Sequence, residues 1–192
     1  HVLLAVCLPL YLIYFTPPLA LLIITLVLIV LSGLGITAGY HRLFAHKAYE
    51  ARPIVQRVLL FFGTLNIQGS CLQWVSDHRN HHRYVDTDAD PYAITKGFWY
   101  AHCLWLFHHC NNDYSNVADL QKNRLVMFQH NYYGWLVLAV NVGFVLAIGA
   151  IVGDVFGAFV FVFLLRLFIN HHTTWFINSI AHFWGVQPYS KE

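Results

Sequence analysis

Residues 19–40 read LALLIITLVLIVLSGLGITAGY, 22 positions without a charge, and they run straight into His41-Arg-Leu-Phe-Ala-His46. As a helix such a run reaches roughly 33 Å at 1.5 Å per residue, enough for the ~30 Å hydrocarbon core of a bilayer. The rest of the chain agrees with a membrane setting. Its 192 residues are 58% hydrophobic and only 10% charged, whereas soluble domains carry about 25% charged residues. Working outward, Val2 to Phe15 is a second apolar run, broken from the first by Thr16-Pro17-Pro18. Trp135 to Gly153 and Val155 to Asn170 form another pair, split at Gly153-Asp154.

The pattern predicts an all-α integral membrane protein, a single domain over residues 1–192 with four transmembrane helices in two hairpins. Residues 1–40 form the first hairpin and 135–176 the second. Residues 41–134 form a cytosolic or interfacial helical region, and 177–192 begin a C-terminal cytosolic region. Ala51 to Val75 is apolar but interrupted by Arg52, Gln56, Arg57, Asn66, Gln68 and Gln73. Read as a helix it is too polar to face lipid and fits an interfacial or protein-covered position.

Basic residues set the orientation. Nine of the eleven Lys and Arg lie between His41 and Gly134, and the turns at Thr16-Pro17-Pro18 and Asp154 carry none. The positive-inside rule then places the middle region in the cytosol. With a net charge of +2 and no basic run, nothing suggests nucleic acid. Arg166, inside the fourth apolar run, must face the bundle interior or snorkel; its place near the cytosolic end of that run favours snorkelling. Cys7, Cys71, Cys103 and Cys110 form no C-x-x-C pair and read as reduced packing residues. The chain starts at His1 with a single methionine, Met127, and is expected to be a piece of a longer one.

Two histidine clusters follow apolar stretches: His41-Arg-Leu-Phe-Ala-His46 and His78-Arg-Asn-His81-His82. Imidazole is the commonest neutral nitrogen ligand for iron, copper and zinc, so the clusters predict a metal site at the membrane surface. His78, His81 and His82 stand at i, i+3 and i+4 and share one helical face. His41 and His46 are five apart, roughly 140° around an α-helix. They could reach one metal only at a frayed helix end, or they could serve two. His182 lies one turn after Asn178 and is a sixth candidate. Asp77 and the aspartates of Asp86-Thr-Asp88-Ala-Asp90-Pro91 could accept the outer N–H of ligating histidines. That stretch lacks the glycine and distal glutamate of a calcium loop and reads as a capped turn. His171 and His172 read as cavity-lining, and His102, His108, His109 and His130 as structural.

The two clusters together with Asn178-Ser-Ile-Ala-His182, Trp74, Met127-Phe-Gln129, Tyr132-Tyr133 and His172-Thr-Thr-Trp175 resemble the membrane fatty acyl desaturases, specifically the acyl-CoA delta-9, stearoyl-CoA-like group. The likeness runs from about Tyr40 to Tyr189. It implies a non-haem di-iron enzyme that uses O2 and two electrons to insert a cis double bond into a long-chain acyl-CoA or acyl-lipid. Carried over by position, His41, His46, His78, His81, His82 and His182 are the implied iron ligands, with Asn178 reaching an iron through water. Gln68, Trp74, Thr174 and Trp175 are the implied walls of a bent acyl tunnel. An electron donor of cytochrome b5, ferredoxin or rubredoxin type is implied as partner.

The family's last box, H-N-x-H-H, is absent. His130-Asn131-Tyr132-Tyr133 resembles only its first half and occupies another place in the pattern. The missing box is expected beyond Glu192, and this stretch alone is expected to bind iron weakly and desaturate nothing. The chemistry asked of such an enzyme independently favours a redox-active metal, since no protein side chain can break an unactivated methylene C–H bond. Two rival readings stand beside it. Another histidine-box oxidase, a lipid hydroxylase or alkane monooxygenase, would share the metal site and differ in product. A haem-binding electron carrier would need paired histidines inside the spans at matched depth, whereas these clusters lie at their margins.

Overall fold

The computed structural model describes residues 1–108 and 113–184, and its regular structure there is entirely helical. Helix α1 (Val2–Tyr14) and helix α2 (Leu19–Ala45) are the first two consecutive helices, and α1 packs against the Phe159–Leu165 stretch of the final helix. Pro17 and Pro18 separate α1 from α2, because proline has no N–H to continue a helix ladder. Helices α3 (Pro53–Leu65), α4 (Cys71–Tyr84), α5 (Phe98–His102), α6 (Ala118–Gln121) and α7 (Arg124–Asn131) make the middle region. Helix α8 (Tyr133–Val152) and a long final helix α9 (Val155–Phe183) are the last two. Gly153 ends α8 in the left-handed conformation at φ +73°, and Asp154 caps α9 by accepting the Gly157 N–H at 2.7 Å.

Among the described residues three helices are long and apolar enough to cross a bilayer: α2, α8 and α9. Helix α1 has 13 residues, about 20 Å, short of the ~30 Å core. Length therefore supports three of the four expected spans. The Tyr11 hydroxyl donates to Asp154, and its ring lies 5.8 Å from that of Phe156. This puts both hairpin turns at one end of the bundle. His41 and His46 at the end of α2, and His182 at the end of α9, fall at the other. Around the bundle Leu26, Val30, Leu138 and Leu146 are exposed, an apolar exterior that suits lipid as solvent.

Residues 51–75 are not one helix. Pro53 starts α3 at its first turn, the chain breaks at Asn66, and Ser70 caps α4 by accepting the Gln73 N–H at 3.3 Å. Helix α3 lies tight against α2: a Cβ on Gly35 would stand 2.3 Å from the Gly63 backbone nitrogen. Two apolar cores result. One, around Tyr11, Leu21, Leu28 and Phe161, holds the spans together; the other, around Tyr40, Phe44, Leu72, Val75 and Val126, seats α4 and α7 on the end of α2.

Arg166 corrects a sequence expectation. It does not snorkel but is 1% exposed. Its Nε donates to Val162 O at 2.7 Å, its two terminal nitrogens to Leu65 O at 2.9 Å and Asn141 Oδ1 at 2.6 Å. Three neutral acceptors inside the bundle replace water for this cation, so α9 is tied to α3 and α8.

Candidate metal centre

The last eleven residues of α2, Gly35–Ala45, wind as a π-helix, and the His46 N–H donates to His41 O at 3.0 Å across five residues. The separation of about 140° holds only for 3.6 residues per turn. An i→i+5 winding carries the fifth residue nearly over the first, and the two imidazole centroids are 4.4 Å apart. Neither a frayed end nor two separate metals is needed to bring this pair together.

Helix α4 presents the partners. His78 and His82, one turn apart, bring their Nε2 atoms to 3.0 Å, and His46 Nε2 lies 2.9 Å from His78 Nε2. Ligand nitrogens of His41, His46, His78 and His82 all fall within 4.8 Å of one another. Two nitrogens each about 2.1 Å from a common ion and at right angles stand about 3.0 Å apart, so these spacings fit adjacent ligands of one ion. Electrostatics favour the neutral form that a metal requires. Burial, then the neighbouring imidazoles of His82, His41 and His46, push His78 down to about 2. Burial and the nearby His46 also lower His82.

His81 turns aside from this group. It is 7% exposed, its Nδ1 lies 2.9 and 3.0 Å from the two Asp90 carboxylate oxygens, and its ring is 5.0 Å from that of His182. His182 Nδ1 in turn lies 3.2 Å from Asp86 Oδ1. Both imidazoles therefore have their Nδ1 engaged by carboxylate, which fixes the tautomer that leaves Nε2 as lone-pair donor. Burial acts to raise Asp90, but hydrogen bonds from His81 and from the Tyr92 and Asp86 N–H groups hold its carboxyl below the usual range. The Asp86–Pro91 stretch is thus a turn built around Asp90 that serves the histidines.

Arg79 was not singled out by sequence. Its guanidinium grips Asp119 at 2.8 and 3.1 Å and donates to Phe44 O at 3.0 Å and Ala45 O at 3.2 Å. It thereby clamps α4 to the end of α2 and sets the distance between the two clusters. The available signal was its place between ligand candidates on a helix whose other face must dock.

A cavity of about 710 Å³ opens beside His78, within the range of small-molecule sites. Gln68, Trp74, Thr174, Trp175 and Asn178 line it. The Trp74 ring stacks on His78 at 4.8 Å and an interplanar angle of 22°, while Gln68 Nε2 donates to Thr174 Oγ1 at 3.1 Å. Asp77 also faces the cavity, not a histidine, and burial pushes its carboxyl up to about 7, so it is only partly ionised near neutrality. His171 lines the cavity with its Nε2 on Asn66 O at 2.6 Å. His172 instead pairs with the buried His102, Nδ1 to Nε2 at 3.0 Å, and His102 bonds Ser179. His130 bonds Ser70 at 2.7 Å, away from the clusters. Cys7, Cys71 and Cys103 are free thiols, and His109 and Cys110 lie outside the described residues.

A family model described as fatty acid desaturase matches residues 16–191. A probable acyl-CoA desaturase of Schizosaccharomyces pombe is 42% identical over 199 residues, covering 98% of this chain and 41% of that protein. The acyl-CoA Delta-9 desaturase of Acheta domesticus is 36% identical, with 94% of this chain and 53% of that protein covered. The acyl-CoA Delta(11) desaturase of Spodoptera littoralis is 35% identical, with 95% and 56% covered. The chain thus spans about half the length of these relatives, or less.

Proposed function

The chain belongs to the fatty acid desaturase family, and on that premise we propose that it carries the metal centre and acyl cavity of an O2-dependent desaturase. The reaction is insertion of a cis double bond, at the delta-9 position, into a long-chain acyl-CoA or acyl-lipid. The observation that carries this reading is the convergence of His41, His46, His78 and His82 nitrogens within 4.8 Å, beside a cavity that shares His78 as wall. Relatives are named for both delta-9 and delta-11 activity, and the double-bond position in the product tests the choice.

The donor set suits iron: neutral imidazoles with converging lone pairs, and two further imidazoles held in one tautomer by Asp86 and Asp90. His41, His46, His78, His81, His82 and His182 would hold two irons, with Asn178 reaching one of them through water. When bound, iron with O2 supplies the oxidising power that an unactivated C–H bond demands. The protein's own contribution is placement. Trp74 and Trp175 give the acyl chain apolar walls, Gln68 and Thr174 close one side with their mutual hydrogen bond, and the cavity shields the reacting methylene from water.

In this reading α2, α8 and α9 span the bilayer, and α1 is the short arm of the first hairpin beside them. The histidine end faces the cytosol, where the basic residues of 41–134 lie and where a cytochrome b5, ferredoxin or rubredoxin type donor delivers electrons. Metal analysis of the full-length protein tests the centre. We expect close to two irons per chain, loss of at least one in His78→Ala or His82→Ala, and full retention in His130→Ala. Equal loss in all three variants would contradict the assignment, and a Soret band would favour the haem carrier.

A further inference from the structure

The turn between α3 and α4 is strained and is held from four sides. Ile67 adopts φ +52°, an outlier for a β-branched residue, and Gly69 adopts φ +96°. Such a conformation persists only when its surroundings fix it. Here the fixing contacts come from three different helices besides the turn's own ends. Asn66 Nδ2 donates to Ser32 O of α2 at 2.6 Å, and His171 Nε2 meets Asn66 O at 2.6 Å. Arg166 of α9 donates to Leu65 O at 2.9 Å, and the Gly69 N–H donates to the Tyr133 hydroxyl of α8 at 3.0 Å. What this lock places in the cavity wall is Ile67, Gln68 and Gly69. Arg166 and Tyr133 stand outside that wall, and Tyr133 meets it through the Gly69 N–H.

We propose that Tyr133 is a positioning residue for product selection: its hydroxyl anchors Gly69 and so fixes Gln68 at the cavity wall, setting which methylene of the chain comes to rest beside the histidine cluster. This rests on the reading of the cavity as the acyl path. Tyr133→Phe deletes one hydrogen-bond acceptor, keeps the ring, and replaces no cavity-lining residue. A role confined to stability would lower the unfolding midpoint without changing which product forms; a positioning role changes the product.

The experiment compares full-length wild type, Tyr133→Phe, Asn66→Ala and Gln68→Ala, each supplied with saturated acyl-CoAs of several lengths. Double-bond position and chain-length preference are read by mass spectrometry, alongside iron content and thermal midpoint. Tyr133→Phe is expected to shift the ratio between neighbouring double-bond positions, or between neighbouring chain lengths, by roughly fivefold, the scale of one hydrogen bond. Iron content should not change. Asn66→Ala, which frees the same turn from Ser32, should shift products in the same manner. Unchanged products in Tyr133→Phe and Asn66→Ala, beside altered products in Gln68→Ala, would overturn the positioning role while leaving the acyl path intact. Unchanged products in all three variants would remove the acyl path itself, and this inference with it.

Discussion

The Asp90 carboxylate does more for the centre than its distance from the main histidine group suggests. It accepts from the Asp86 and Tyr92 N–H groups at 2.9 Å each, so its position is fixed by backbone before it meets His81. A carboxylate held that way orients the imidazole and raises its basicity as a ligand. Asp90→Asn keeps the shape but lets the amide present N–H to His81, favouring the wrong tautomer. The expected result is a 10- to 100-fold weaker retention of iron, read by competition with a chelator, with little change in helix content by circular dichroism. Retention equal to wild type would mean that the His81–Asp90 pair is only structural. At this scale the sequence was informative where one residue's role depends on near neighbours: the Asp86–Pro91 turn sits a few positions after His82, and its use as acceptor was foreseeable. Arg79 was not, because its main partner, Asp119, is 40 residues further on.

Helix geometry decides how the clusters meet. His78 and His82 were legible at the 3.6-residue repeat because α4 is a regular α-helix. His41 and His46 were not, because no period in the sequence announces the π winding of Gly35–Ala45, which lies packed against α3. Arg166 was ambiguous for a related reason. A cation in an apolar run has two solutions, and the acceptors that select the buried one, Leu65 O and Asn141 Oδ1, come from other helices. The clamp between elements is open to test through Asp119, which also pairs with Lys47 at 2.9 Å. Hydrogen bonding from Arg79, and then from Lys47, holds its carboxyl well below the usual range despite partial burial. A carboxylate lowered in the fold contributes stability above its free value of about 3.9, and that contribution fades as pH falls through the lowered one. At pH 7, Asp119→Asn should lower the thermal midpoint in detergent by about 2–4 °C, the equivalent of about 1 kcal/mol for a partly exposed pair. At pH 3 the gap should narrow. An equal gap at both pH values would assign the effect to something other than the ion pair.

Across the whole molecule the arrangement separates tasks by end. The turns at 16–18 and 153–154 meet through Tyr11 and Asp154, and the spans between carry the apolar exterior. The far end gathers both histidine clusters, the Asp86–Pro91 turn and the mouth of the cavity. The alternation of apolar runs with histidine clusters made this division readable from sequence, and three helices have the length to realise it. The walls of the cavity come from α1, α4, α9 and the segments at 67–69 and 103–108, so their meeting could be inferred only through resemblance to a family. We propose that this end removes two hydrogens from an acyl chain and adds no oxygen to it. Full-length protein given stearoyl-CoA, a reduced electron donor and ¹⁸O2 tests it directly, by the mass of the recovered acyl group. The account predicts a product two mass units lighter, free of ¹⁸O, and absent from the His78→Ala variant. A product carrying one ¹⁸O atom would contradict it and identify a hydroxylase.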